Sequence, residues 1–321
     1  MGDDINGLHH VGHIVRDMGQ AMERYRRLGF TVPAPAYPVL PRVPGGPAEP
    51  FGVANTHVYF PGNFIELVAV VPETGPAPEG ARPIPLRVPD DRLPGLVAAV
   101  RAAAENITSF LRRFQGLHIM IADTPDLDGV AARLTASGVG HGGVHAVQRP
   151  VETSVGTTME PARYLEISDP GLSAGRVPEG RIGFAENAPA QAPPSPPDHP
   201  NGATGLVECV LCVADPALPE LERRYGTYFG RPDGRGTPGT ARFGRANVTV
   251  VSESALAARL PGERPAALPA FAAYAVSVRD LAATERFLRA GDVPLTRTGP
   301  EELLVPASAA LGTAIVFRQE G

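Results

Sequence analysis

Apolar and polar positions along this 321-residue chain fall into one unit that recurs four times. Residues 8–30, LHHVGHIVRDMGQAMERYRRLGF, begin as a short strand and switch after Asp17 to the three-to-four-residue spacing of an amphipathic helix that stops at Gly29. Aspartate suits the start of a helix because its carboxylate accepts from the unpaired amides of the first turn, and glycine suits the end. The same plan begins again with GLHIMIADTPDLDGVAARLTASGV at Gly116, LVECVLCVADPALPELERRYGTYFG at Leu206 and AAYAVSVRDLAATERFLRAGDV at Ala272. Strand-like stretches follow the helices: THVYFPGNFIELVAV, TSVGTTMEPARYLEISD, ARFGRANVTVVSES and ELLVPASAALGTAIVFR. The pattern predicts four βαβββ units and an α+β architecture.

Two segments interrupt the repeat. Residues 72–115 are an insert that opens Pro/Gly-rich and ends in the helical pattern LPGLVAAVRAAAENITSFLRRF, either a lid or wall beside a site or a surface excursion. Residues 187–203 are proline-rich and nearly free of large apolar side chains, as in a semi-rigid spacer. The expected division is a first domain over 1–186, a linker over 187–203 and a second domain over 204–321, each half long enough for its own core.

Composition narrows the function. A hydrophobic content of 43% with 20% charged residues is that of an ordinary globular protein, and no apolar run approaches a membrane span. The polar start MGDDINGL lacks the features of a secretion signal, so a cytoplasmic location is expected. A net charge of −5 with scattered arginines argues against nucleic acid. The 36 glycines and 36 prolines fit a GC-rich, bacterial coding bias. Cys209 and Cys212 fall on a predicted strand, where that spacing puts them on opposite faces rather than around a zinc ion.

The histidines carry the chemistry. Alternation puts Leu8, His10, Gly12 and Ile14 on one side of the first strand, and His9, Val11, His13 and Val15 on the other. A single inward histidine is readily a hydrogen-bonded core residue. Here His118 of GLHIMIA is read as the counterpart of His10, and the last strands of the two units each hold a carboxylate in an apolar frame, Glu66 in NFIELVAV and Glu166 in RYLEISD. Burying such a group is costly without a partner or a metal. One feature departs from this symmetry: the aspartate after His118 is not at the offset at which Asp17 follows His10.

The repeated unit with one His and one Glu in each of two copies resembles the vicinal oxygen chelate superfamily, which includes glyoxalase I, methylmalonyl-CoA epimerase, fosfomycin-resistance proteins and extradiol dioxygenases. LHHVGHIVRDMGQAMERYRRLGF is similar to the opening of the epimerases and glyoxalases, and FLRRFQGLHIMIAD to the epimerase segment entering its second metal histidine. The resemblance implies four βαβββ modules paired into two cup-shaped mixed β-sheets. It also implies one divalent ion held by His10, Glu66, His118 and Glu166, and such donors suit Fe, Mn, Co, Ni or Zn with positions left for substrate oxygens. The expected reaction is proton transfer, as in an isomerase or lyase, on a small carbonyl or carboxyl substrate, with Glu66 or Glu166 moving the proton. Asn55, His57, Tyr59, His145, Met159 and Arg163 are candidate substrate contacts, and His141 could line the pocket. The alternatives are an Fe(II) dioxygenase using His10, His118 and Glu166, or a metal-free sequestering or resistance protein. In the second half Glu208 and Ala273 stand where His10 does, so that half is expected to be a degenerate domain without metal ligands that shapes, covers or dimerises. The implied partner is a small molecule, with a homodimer possible and neither nucleic acid nor membrane expected.

Overall fold

The computed structural model describes residues 4–71, 80–153, 156–187, 198–233 and 237–321, with backbone only for those of 148–160 among them. The first sheet collects β1 (Gly7–Ile14), β2 (Ala36–Pro41), β3 (Ala48–Pro50), β4 (Val53–Tyr59), β5 (Phe64–Val70), β6 (Arg82–Pro85), β7 (Gly116–Asp123), β8 (His145–Thr153), β9 (Gly156–Glu166) and β10 (Arg181–Asn187). Its order is β3-β2-β4-β5-β1-β7-β10-β9-β8, with β6 paired to β2. At its centre β1 and β7 run antiparallel, while β5 lies parallel to β1 and β10 parallel to β7. The second sheet contains β11 (Ala203–Val213), β12 (Thr240–Phe243), β13 (Val248–Ser252), β14 (Ala270–Val278), β15 (Thr296–Gly299), β16 (Glu302–Val305) and β17 (Ala314–Gln319) in the order β12-β13-β11-β14-β17-β16-β15. Its centre repeats the plan, with β11 antiparallel to β14 and flanked by parallel β13 and β17.

Helices α1 (Met18–Arg27), α3 (Leu127–Ala136) and α6 (Leu281–Ala290) begin at Asp17, Asp126 and Asp280, whose carboxylates accept from the backbone amides of Gln20, Gly129 and Ala283. Together with α4 (Leu218–Phe229) they pack between the inner faces of both sheets. Val11, Tyr25, Leu134, Leu211, Tyr225 and Phe317 belong to the same apolar core, which therefore crosses both halves of the chain. Each sheet's opposite side, the inside of its cup, has a cover of its own. The insert supplies α2 (Leu93–Arg113), whose Ile107 and Phe110 lie on Ile14, Val68, Ile119, Ile121 and Ala185. The insert is thus a wall over the first cup, not a surface excursion. In the second cup, α5 (Glu253–Arg259) places Leu256 on Val210, Cys212 and Val251.

Two further features differ from the sequence expectation. Strand β10, RIGFAEN, lies beyond the strand-like stretches of the repeat pattern, and it takes the place in the second unit that β5 holds in the first. The end of the proline-rich segment is also no free spacer. His199 accepts from the Thr31 amide at 3.1 Å and donates to the Tyr59 carbonyl at 3.0 Å, and Asn201 donates to the Leu28 carbonyl at 2.9 Å. Residues 188–197 lie outside the described residues. Among those described, no helix is long and apolar enough to cross a membrane.

Candidate functional site

Each unit's opening strand is bulged at the same place. Against β7, the register of β1 skips between Leu8 and His10, leaving His9 as the extra residue, and on β7 it leaves His118. The pair β11 and β14 repeats this with Val207 and Ala272. An extra residue breaks the side-chain alternation, so His9 joins His10 on the cup side, both rings against Phe64 at centroid distances of 5.3 and 4.6 Å. The local dyad passes through the pair Val11 and Met120 and carries His9 onto His118 and His10 onto Ile119. His118 is therefore the counterpart of His9, not of His10. The caps agree, since Asp17 follows His9 at the offset at which Asp126 follows His118. The position after the bulge reads His10, Ile119, Glu208 and Ala273 in the four units.

The carboxylates are likewise not equivalent. Gly12 lies opposite Glu66 on β5, whereas its counterpart Ile121 lies opposite Gly183 on β10. Glu166 belongs to β9 and pairs with Gly183, which makes it the counterpart of His57, the partner of Glu66 on β4.

On the cup side the sheet gathers His10, Asn55, His57, Tyr59, Phe64 and Glu66 from the first unit, with Tyr164, Glu166 and Arg181 from the second. Asn55 Nδ2 donates to Glu66 Oε1 at 3.0 Å, and His57 Nε2 lies 3.9 Å from the same oxygen. The Tyr59 hydroxyl is 3.1 Å from His57 Nδ1. Arg181 Nε stands 3.3 Å from Glu166 Oε1. The side chains of Glu66, Glu166 and Arg181 are 18%, 28% and 21% exposed, so they are in contact with solvent. Burial holds the His10 imidazole well below its ordinary pKa, and nearby His9, His57 and Arg181 push the same way. Asn187 Nδ2 donates to His9 Nε2 at 2.7 Å, and the two Nδ1 atoms of His9 and His10 are 2.7 Å apart. With the Asn187 amide so oriented, His9 donates from Nδ1, His10 accepts, and the His10 proton resides on Nε2.

The remaining sequence candidates lie elsewhere. His118 is fully buried beneath α2, stacked on Phe110 at 5.1 Å, with Nε2 donating to the Phe114 carbonyl at 2.9 Å. Its pKa falls to about 4, chiefly through burial, with Arg113, His13 and Arg176 adding to the effect against the Phe114 hydrogen bond. Arg163 faces α3 on the other side of the sheet, bonded to Asp128 at 2.5 Å and Glu186 at 3.3 Å, and is not a cup-side contact. His145 is an exposed rim residue beside Tyr164, with ring centroids 5.3 Å apart, and His141 bonds to Thr135. The Met159 side chain lies outside the described residues.

A shared divalent ion does not fit this arrangement. Ile119 takes the position matching His10, His118 is spent on a carbonyl under α2, and Arg181 is paired with Glu166. Among the described residues, no three His, Cys, Asp or Glu side chains stand where they could hold one metal ion. Neither the quartet His10, Glu66, His118 and Glu166 nor the triad His10, His118 and Glu166 is brought together. Arg181, which the sequence reading missed, could have been found from the alternation of Arg181 and Gly183 with Ile182 and Phe184, the mark of a strand.

A family model described as a glyoxalase-like domain matches residues 8–229, across the proline-rich segment and to the end of α4. Among solved structures, a hypothetical protein from Staphylococcus aureus is similar with a TM-score of 0.57 at 10% identity, covering 98% of this chain and 99% of that one. The Mn(II)-bound glyoxalase from Novosphingobium aromaticivorans gives 0.54 at 9% identity, covering 99% and 83%. A mutant of 4-hydroxymandelate synthase from Streptomyces coelicolor gives 0.52 at 13% identity, covering 99% and 94%. At these identities the likeness is one of fold. No curated protein matches the sequence.

Proposed function

The chain belongs to the glyoxalase-like domain family, within the vicinal oxygen chelate superfamily, and we propose that its first cup transfers a proton on a small carbonyl or carboxyl compound using side-chain acid and base groups. The observation that carries this reading is the placement of His10, stacked on Phe64, on the same face as the Asn55, Glu66, His57 and Tyr59 group, where burial favours the neutral imidazole. Glu66, its orientation set by Asn55, takes the proton from the carbon next to a carbonyl. The pair of that C–H bond becomes a carbon–carbon double bond to the carbonyl carbon as the carbonyl π pair moves onto its oxygen, where the His10 Nε2 proton stabilises the developing negative charge. Return of a proton to the opposite face of the same carbon gives epimerisation, and in an α-hydroxy ketone return to the former carbonyl carbon, as the neighbouring hydroxyl gives up its own proton and becomes the carbonyl, gives isomerisation. The divalent ion expected from the superfamily is given no part, because the donors that would bind it are engaged elsewhere.

The test is solvent exchange. The protein is incubated in deuterium oxide under nitrogen with a panel of α-hydroxy ketones and 2-oxo acids, and loss of the α-proton signal is followed by NMR. Wild-type protein should wash out the proton of at least one compound, and Glu66→Gln should slow this by a factor of about 100 or more. Exchange untouched by Glu66→Gln, or product formed only with matching oxygen uptake, would overturn the proposal. Sequestration without turnover is the second reading, favoured by the α2 wall, and binding without exchange would establish it.

A further inference from the structure

We propose that the α2 end of the first cup is an anion site built on Arg176 and Arg181, so that this protein's ligand carries a carboxylate or phosphate group. The inference deepens the reading above by naming the ligand class and relies on it only for the place of binding. Arg176 lies in the segment between β9 and β10, with its guanidinium 4.8 Å from the centroid of the Phe110 ring on α2. Its Nε is buried without a hydrogen-bond partner, and so is His118 Nδ1, while Arg181 Nε has the Glu166 carboxylate at 3.3 Å as an ion-pair partner but no hydrogen bond. A buried polar atom left unpaired costs free energy, more so on a charged group, and each such atom calls for an explanation.

The charge balance points the same way. Arg113, Arg176 and Arg181 are near enough that Arg176 feels Arg181 and Arg113 feels Arg176, each held below the ordinary arginine range, chiefly by burial. Among the described residues, two glutamates lie beside the group. Glu166 stands by Arg181, and Glu179, near Arg113, is already bonded to Arg224 at 2.6 Å and Tyr225 at 2.9 Å. Among the described residues Arg176 has no acidic partner within ion-pair distance. Arg113 already donates to the Glu179 and Pro269 carbonyls at 3.3 and 2.6 Å, which leaves Arg176 and Arg181, with the Glu166 carboxylate on Arg181, as the pair that a bound anion would complete, and the planar guanidinium fork matches the oxygens of carboxylate and phosphate. A cation serving only to pack on Phe110 would not need Arg181 beside it.

Calorimetric titration and thermal melts with inorganic phosphate and with oxalate, at ionic strength matched by sodium chloride, test the site in the full chain. One of the two anions should bind saturably and raise the melting temperature of the wild type. Preference for phosphate marks a phosphorylated ligand and preference for oxalate a carboxylic acid. Binding should weaken tenfold or more in Arg176→Gln and in Arg181→Gln, while ligand-free Arg176→Gln should melt at or above the wild-type temperature, because a repelled cation has been removed. No binding beyond chloride, equal binding by the variants, or a ligand-free Arg176→Gln that melts several degrees lower or fails to fold would overturn the proposal. Glu66→Gln should still bind the anion, so failure of proton transfer and failure of the anion site give different results.

Discussion

Lowering the pH should unfold this protein through His13, and the size of the effect follows from its surroundings. His13 is fully buried between the halves, with Nε2 2.9 Å from the Leu311 carbonyl, Nδ1 2.9 Å from the Tyr25 hydroxyl, and Tyr25 2.8 Å from the Tyr274 hydroxyl. A carbonyl only accepts, so Nε2 donates, Nδ1 accepts from Tyr25, and Tyr25 accepts from Tyr274. That chain needs a neutral imidazole, and burial lowers the His13 pKa to about 4, partly opposed by the Leu311 hydrogen bond. In the unfolded chain the value is about 6.5. A folded pKa below the unfolded one means that stability is complete above pH 6.5 and is lost as the pH falls toward 4, since over that window the unfolded chain binds a proton that the native state refuses. The loss is about 1.4 kcal/mol per pH unit, or about 3 kcal/mol over the window. His118, also lowered to about 4, acts in the same direction. Urea unfolding followed by far-UV circular dichroism, suited to a chain without tryptophan, should show wild-type stability falling between pH 6.5 and 4.5. In His13→Gln the fall should be shallower by about 1.4 kcal/mol per unit. Parallel curves for the two proteins would mean that His13 titrates normally in the folded state, and the assigned chain of hydrogen bonds would be wrong.

Other consequences are equally direct. Glu179 is fully buried and accepts from Arg224 and Tyr225, so Glu179→Ala, which strands the arginine, should cost about 3–5 kcal/mol in denaturant unfolding. Gly180 has φ +154° and a Cβ there would come within 2.0 Å of the His118 carbonyl oxygen, so Gly180→Ala should lower the melting temperature by many degrees. Phe110→Ala removes a fully buried ring from the α2 wall and should cost about 3–5 kcal/mol, read by the same unfolding curves. A protease cut placed within residues 188–197 should leave two fragments that still elute together in gel filtration, because one core crosses both halves; separation without denaturant would refute that continuity.

The fold was legible because its signals are local. Asp17, Asp126 and Asp280 announce three helices by chemistry that needs no tertiary context, and the strand-to-helix switch recurs after each opening strand. The site was only half legible. Asn55, His57, Tyr59 and Glu66 alternate along two adjacent strands, so their shared face follows from sequence. The pairing of His118 with His10 failed because a bulge shifts the side-chain sequence by one residue and leaves no mark in hydrophobic periodicity. The misplaced aspartate was the clue: the offset of Asp126 from His118 fits His9. Glu166 sits on β9 rather than on the strand matching that of Glu66 for a related reason, since β10 comes after a long turn and offers two large apolar residues, Ile182 and Phe184, as its pattern.

The second sheet shows why the chemistry is assigned to the first. By the same register, Glu208 stands where His10 does, and Thr249, opposite Val210, stands where Glu66 does. There the two positions bond to each other, Thr249 Oγ1 to Glu208 Oε1 at 2.5 Å, and Arg259 and Arg318 each donate to Glu208 Oε2 at 2.6 Å. The Glu208 side chain is 9% exposed, half the exposure of Glu66. Although burial alone would raise the Glu208 carboxyl, the arginines and Thr249 outweigh it and hold its pKa below the ordinary value. Such a carboxylate is a poor proton acceptor, and its neighbours are already satisfied. In the first cup the corresponding His10 is neutral, Glu66 is in contact with solvent, and Arg176 lacks an acidic partner among the described residues. Glu208→Gln should therefore lower stability, by leaving two arginines without their shared carboxylate, and leave proton exchange in the first cup intact. Loss of exchange in a Glu208→Gln protein that still folds would move the site to the second sheet.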